Sequence, residues 1–213
     1  MIPYNKFSYL YPPRPKNSIN PSELNSWDNN SLIGQLKLNG SNCVIFTNGI
    51  TAMIMNRHSQ RLTNFTIKLD EVLNLHRGDK NTWMVINGEY LNKSKSDENS
   101  VTFNHKLIIF DILVYNSDYL VGKTFEDRIK LLDEIYDVKD SEKSYLYSIS
   151  NNVYRVKSFD KNFLNLFNEF SKIDMVEGLV LKRKNAKLEV GNTSTNNIKS
   201  QLKCRKATKL YKY

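Results

Sequence analysis

Four short polar stretches interrupt the strand-like apolar runs of this sequence, and a fifth lies near its end. They are Lys37 with Gly40 and Asn42; Gly88-Glu89; Phe110-Asp111; Glu177-Gly178 leading to Lys182; and Lys203-Cys204-Arg205. Each puts charged groups on a strand or at its edge, where sheet packing alone favours apolar residues. Lys37 stands between Leu36 and Leu38, so in an extended chain it faces opposite to both. If the leucines enter a core, the amine enters the space lined by the other face. Gly40 would let the backbone approach a ligand closely, with Ser41 and Asn42 as short polar neighbours. A lysine amine attacks an electrophile only when unprotonated, and its free pKa of about 10.4 must be lowered by neighbouring cations for that. Each stretch also has a plainer reading. Lys37 could be an edge-strand lysine before a turn, Glu89 could close a turn, Asp111 could pair with a surface lysine, and Phe110 could be ordinary core.

The elements that must carry these residues follow from local pattern. The first thirty residues, with Pro12, Pro13, Pro15 and Pro21, read as an extended arm anchored by Tyr9, Leu10 and Tyr11, with a short helix opening at Asn20-Pro21. A strand carries Lys37 and re-enters a second run through Cys43–Phe46. Thr47-Asn48-Gly49 is a hairpin-turn signal before another strand at Thr51–Met55. Residues 66–76 have helical spacing, with Leu69, Val72, Leu73 and His76 on one face. Thr82–Ile86 and Lys106–Tyr115 read as strands, separated by a polar, mobile loop at 93–104. The second is apolar on both faces except at Asp111. Thr124 with Asp127 resembles a capping box opening a helix through Ile129, Leu132 and Ile135. Another helix places Phe163, Phe167 and Phe170 on one face, a strand runs through Gly178–Lys182, and residues 201–213 read as a basic tail. The order is that of one α+β domain spanning residues 1–213, with antiparallel sheets and peripheral helices.

Composition narrows the partners. The 213 residues include 31 Lys and Arg against 22 Asp and Glu, a formal charge of +9. That surplus favours polyanions such as nucleic acid or nucleotide phosphates, although a lysine-rich proteome would give the same balance. Cys43 and Cys204 make no disulfide framework, and His58, His76 and His105 are scattered without zinc spacing. No apolar run is long enough to span a membrane and no signal pattern opens the chain. A soluble protein of a reducing, cytoplasmic compartment is expected, and no Ser/His/Asp hydrolase arrangement stands out.

In their order, the five stretches resemble the covalent nucleotidyltransferase superfamily of ATP-dependent DNA ligases, RNA ligases and mRNA capping enzymes. Lys37-Leu38-Asn39-Gly40-Ser41-Asn42 is most similar to the nick-sealing RNA ligases of phages, and Glu177-Gly178-Leu179-Val180-Leu181-Lys182 matches their fourth element. The resemblance runs from about residue 33 to 206. It implies a ligase-type adenylation domain that takes AMP from ATP onto Lys37 and delivers it to a nucleic-acid 5′-phosphate, with sealing to a 3′-hydroxyl. It further implies nucleotide contacts from Gln35, Asn42, Arg57, Glu89, Phe110, Lys182, Lys203 and Arg205, with Glu89 on the ribose, Phe110 stacked on adenine and Gln35 at the adenine edge. Glu177, helped by Asp111, would hold Mg²⁺ or Mn²⁺, and Lys182, Lys203 and Arg205 would be the cations that activate Lys37. Nicked duplex DNA or RNA would be held by Arg61, Lys206, Lys209 and Lys212, on a monomer. Two departures are Asn39 where the family has aspartate and Arg205 where it has a second lysine. Nothing after Lys206 could form an oligonucleotide-binding-fold (OB-fold) domain, so a minimal ligase or a catalytic fragment is expected. Two alternatives are a GTP-dependent capping-type guanylyltransferase, which Asn42 disfavours, and a catalytically silent nucleic-acid-binding module, which the intact Lys37, Glu89 and Glu177 disfavour.

Overall fold

The computed structural model describes residues 10–93, 95–136, 139–140, 143, 145–191 and 197–207. Two sheets organise them. A four-stranded sheet runs in the order β1 (Arg14–Ser18), β12 (Asn197–Arg205), β11 (Val176–Arg183), β2 (Leu32–Leu38). A larger sheet runs β4 (Ala52–Asn56), β3 (Ser41–Thr47), β5 (Met84–Leu91), β6 (Lys106–Tyr115), β10 (Val153–Val156), β9 (Leu146–Ser148), β8 (Lys139–Asp140), with β7 (Asp118–Tyr119) paired to β6. Most pairings are antiparallel; β1 with β12 and β10 with β6 are parallel. The tight turn at Asn39-Gly40 carries the chain from β2 in one sheet directly to β3 in the other. The Lys37 motif therefore sits where the two sheets meet.

Two apolar clusters form the core, and the second, under the smaller sheet, also takes Leu91, Ile108, Leu146 and Val156 from the larger sheet. Under the larger sheet, Val44, Ile86, Ile109 and Ile112 pack with Val72 of α1 (Leu69–Leu73) and with Phe125, Ile129 and Leu132 of α2 (Phe125–Ile135). Under the smaller, Leu36, Leu38, Leu179, Leu181 and Leu202 pack with Phe163, Phe167 and Phe170 of α3 (Phe163–Phe170). The phenylalanines recur at helical spacing, so one face of this short helix is buried while its polar residues face water. The expected capping box is present: Thr124 Oγ1 accepts from Asp127 N at 3.1 Å and Asp127 Oδ2 accepts from Thr124 N at 3.1 Å.

Several local expectations give way to tertiary pairing. The N-terminal segment is not only an arm: Arg14–Ser18 is an edge strand of the small sheet, followed by a 3-10 helix at Pro21–Trp27. Tyr9 lies outside the described residues. The basic "tail" is in its first part β12, a nine-residue strand inside the same sheet. The helix expected over 66–76 shrinks to five residues, and Leu69 is 58% exposed, because Val72 and Leu75 rather than Leu69 face the core. The polar loop after β5 is held in place. Asp97 Oδ1 accepts from Asn99 N and Val101 N, at 2.9 and 3.0 Å, and its other oxygen pairs with Lys143.

Candidate active site

Strand register assembles the cleft. On the small sheet, Lys37 opposes Gly178, Gln35 opposes Val180, and across β11 these residues oppose Arg205 and Lys203; Lys182 opposes Gln201. Period-two alternation therefore presents Gln35, Lys37, Lys182, Gln201, Lys203 and Arg205 on one face of three adjacent strands. The intervening Leu36, Leu179, Leu181, Leu202 and Cys204 are buried on the other face. From the larger sheet come Asn42 and Glu89, directly paired across β3 and β5, and Phe110 of β6. These residues, with Arg57 and Glu177, line one cavity of about 310 Å³.

Two of them reach it through irregularities. In the β11–β2 pairing Val176 opposes Leu38 but Gly178 opposes Lys37, so Glu177 is the extra residue of a β-bulge. In the β5–β6 pairing Asn87 opposes Asp111 while Gly88 opposes Ile109, leaving Phe110 as the extra residue. A bulge bends its strand and re-aims a side chain that alternation would have placed otherwise. Gly178 permits the first bulge. Its φ is +142°, and a Cβ there would lie 2.0 Å from the carbonyl oxygen of Cys204, so no other residue fits without displacing β12. Gly40 lines the cavity, and a close approach to β5 requires a glycine there: a Cβ would sit 2.5 Å from the carbonyl of Tyr90.

Charge is concentrated here. Lys37 Nζ is ion-paired with Glu177 Oε2, both side chains partly exposed. Arg205 Nε lies 3.9 Å from the same oxygen. Glu89 accepts a hydrogen bond from Gly40 N at 3.1 Å. Burial pushes its carboxyl up to about 7, against the opposing pull of Lys37, the Gly40 amide and Arg57. Lys203 is shifted down by burial and by Arg205, Lys37 and Arg14. At the other end Lys182, 5% exposed, donates to Gln35 Oε1 at 2.8 Å and lies 4.8 Å from the Phe110 ring centre and 4.5 Å from that of Phe125. Burial lowers it to about 8. Gln35 in turn donates toward Ser158 Oγ at 3.2 Å. The Asn42 amide donates to Asn87 Oδ1 at 3.1 Å and leaves its own buried Oδ1 with no hydrogen-bond partner, an acceptor available to a bound molecule.

The structure separates the remaining expected residues from this group. Asp111 does not face the cleft. It is 1% exposed and takes both Arg128 Nε and Nη2, at 2.8 and 2.9 Å. A doubly bonded carboxylate in that position serves packing between β6 and α2, which corrects the metal-ligand expectation. Lys206 is also engaged elsewhere, donating to the carbonyls of Ser171 at 3.0 Å and Ile173 at 2.9 Å just beyond α3, where a cation suits the helix C-terminus. Arg61 is exposed on the loop after β4, outside the cavity. Lys209 and Lys212 lie outside the described residues. Arg14, missed by the sequence reading, lines the cleft from β1; its proline neighbours suggested an arm, and no local pattern revealed the parallel pairing with β12.

This architecture, two sheets meeting over a lysine-bearing cleft, is that of a ligase-type nucleotidyltransferase. The sequence profile of the ATP dependent DNA ligase domain family matches residues 90–201, more than half of the chain, and the chain belongs to that family. The matched span holds Phe110, Glu177 and Lys182 but not Lys37. Among solved structures, mycobacterial DNA ligase D complexed with ATP and MES superposes with a TM-score of 0.68 at 15% identity, covering 93% of this chain and 62% of that one. The ligase domain of M. tuberculosis LigD gives 0.63 at 14% identity, covering 92% and 60%. The chain thus spans less than two thirds of either structure's length. Compared by sequence with curated proteins, it finds no match. Among the described residues no helix is long and apolar enough to cross a membrane.

Proposed function

We propose that this chain is an ATP-dependent polynucleotide ligase acting through a lysyl-AMP intermediate on nicked duplex nucleic acid. The observation that carries the reading is the position of Lys37, aimed into a cleft beside Glu177 of β11, with Lys203 and Arg205 on β12 beyond it. In the first step the Lys37 ammonium leaves Glu177 and sheds a proton. Its lone pair forms a bond to the α-phosphorus of ATP as the bond to the β-phosphate oxygen breaks, and pyrophosphate departs with that electron pair. Lys203 and Arg205 stabilise the charge that develops on the phosphates. A 5′-phosphate oxygen then displaces Lys37 from AMP, and a 3′-hydroxyl displaces AMP to close the strand. Phe110, with Gln35 and Lys182 beside it, would take the adenine face, and Glu89 and Asn42 the ribose.

A divalent cation fits what is present. Mg²⁺ is commonly bound by one or two carboxylates plus substrate phosphates and waters, and Glu177 opens into the cleft with Glu89 nearby, while no cluster of three or more ligating side chains occurs among the described residues. Held by Glu177, such a cation would neutralise phosphate charge. Arg61 is retained as a surface contact for the nucleic acid; Lys206, bound to the end of α3, is not. Free, buried Cys43 and Cys204 suit a reducing cytoplasm, and the chain is taken to work as a monomer.

The test is transfer of label from α-labelled ATP, with GTP in parallel, to the protein on a denaturing gel. Labelling by ATP that disappears in Lys37→Ala is expected. Labelling by GTP alone would favour the capping-type reaction, and no labelling of the wild-type protein would remove the catalytic reading.

A further inference from the structure

Six basic side chains line the cleft against two carboxylates; Lys37 is paired with Glu177, and the other five divide into two groups. Lys182 belongs to the Gln35–Phe110 end, where its nearest charges are Asp111 and Arg128. Arg14, Arg57, Lys203 and Arg205 form the other group. Burial, then Arg57 and Arg205, shift Arg14 downward, and Arg14 contributes in turn to the downward shift of Lys203. These four come from three segments remote in sequence: Arg14 from β1, Arg57 from the loop after β4, and Lys203 with Arg205 from β12. Concentrating like charges in a concave, partly desolvated space costs stability, and a cleft built this way focuses its field on an incoming polyanion. Glu177, the carboxylate beside Arg205, is already shared with Lys37.

Resting on the reading that Lys37 attacks a nucleoside triphosphate, we propose that Arg14 is a polyphosphate-binding residue. With Arg57 facing it, Arg14 grips the β- and γ-phosphates and holds pyrophosphate as it leaves. A guanidinium suits this task because its planar fork meets phosphate oxygens in pairs and its charge persists at any working pH. The edge strand β1 is what places it. Its parallel pairing with β12 slips between Pro15 and Asn17, and Arg14 and Pro15 both line the cavity. The N-terminal segment thereby supplies a cation that neither the Lys37 motif nor the Lys203-Cys204-Arg205 motif contains.

Equilibrium binding of ATP and of AMP to Arg14→Gln and Arg14→Lys, measured by calorimetry in the Lys37→Ala background to prevent turnover, tests the assignment. Arg14→Gln is expected to weaken ATP binding by about tenfold or more, the effect of losing a charge-assisted hydrogen bond, and AMP binding by less than about twofold. Arg14→Lys should recover part of the loss. The same variant with native Lys37 should need correspondingly more pyrophosphate to discharge its lysyl-AMP. Equal losses for ATP and AMP, or no loss for ATP, would overturn the assignment while leaving the adenylation reading in place. Failure of the parent protein to bind ATP at all would overturn both.

Discussion

Two carboxylate–cation pairs in this molecule use similar residues to opposite ends. Asp111 and Arg128 are both almost wholly buried and joined by two hydrogen bonds. Glu177 and Lys37 meet through a single contact, with roughly a fifth to a third of each side chain exposed. The first pair is closed: Arg128 Nε and Nη2 meet both Asp111 oxygens, Nη1 donates to the Lys123 carbonyl, and Asp111 Oδ1 also accepts from Ile112 N, so no third group can enter without leaving a buried charge unpaired. The second is open, because water and a ligand can reach both members, and the pair can be exchanged for other partners at modest cost. Sequence alone ranked both carboxylates as possible metal ligands. The difference lies in strand geometry. Asp111 keeps a cross-strand partner in Asn87 and is held by Arg128 of α2, whereas Glu177, the extra residue of its bulge, has no partner across β2 and faces the cleft.

The sharpest way to break this contrast is to truncate each pair. Asp111→Ala should cost about 3–5 kcal/mol of stability, the typical penalty for stranding one member of a buried pair, with normal labelling per folded molecule. Urea unfolding alongside the labelling assay decides it, and a loss of labelling at unchanged stability would return Asp111 to the site. Glu177→Gln should behave in reverse. A drop of about a hundredfold or more in the rate of label transfer is expected, in the range of a lost group that acts on the reacting atoms, with the melting temperature nearly unchanged. A large melting shift with activity intact would make that pair structural as well.

Glu89 gives a smaller and pH-dependent effect. Burial raises its carboxyl from the ordinary 4.5 to about 7, so between these values the folded protein binds more protons at this site than the unfolded chain does. Stability contributed through Glu89 must then fall as pH rises from about 4.5 to 7 and level off above. Glu89→Gln should flatten that part of the stability profile, measured by denaturant unfolding between pH 5 and 8. An unchanged slope would show that the carboxyl is not held in its neutral form. The comparison also extends to ligand: a bound nucleotide that brings hydroxyl donors to Glu89 should favour the ionised carboxylate and lower the pH at which the slope ends.

The sequence by itself determined the motif order, the α+β class, the capped helix at Thr124 and the aromatic face of α3. It also named ten residues that line one cleft: Gln35, Lys37, Asn42, Arg57, Glu89, Phe110, Glu177, Lys182, Lys203 and Arg205. The elements were legible because period-two and period-3.6 patterns are local, and the ten residues because the order of the short motifs resembles that of the ligases and capping enzymes. Tertiary structure decided the rest. That residues 14–18 and 197–205 are strands of one sheet depends on pairing across nearly the whole chain, which no local window contains. That Arg14 enters the cleft and Lys206 closes the end of α3 depends on where those strands run. That Asp111 turns from the cleft while Phe110 enters it depends on the register of β6 against β5, which slips at two places. Register is set by what lies across the sheet, and one residue of slip moves a side chain from one face to the other.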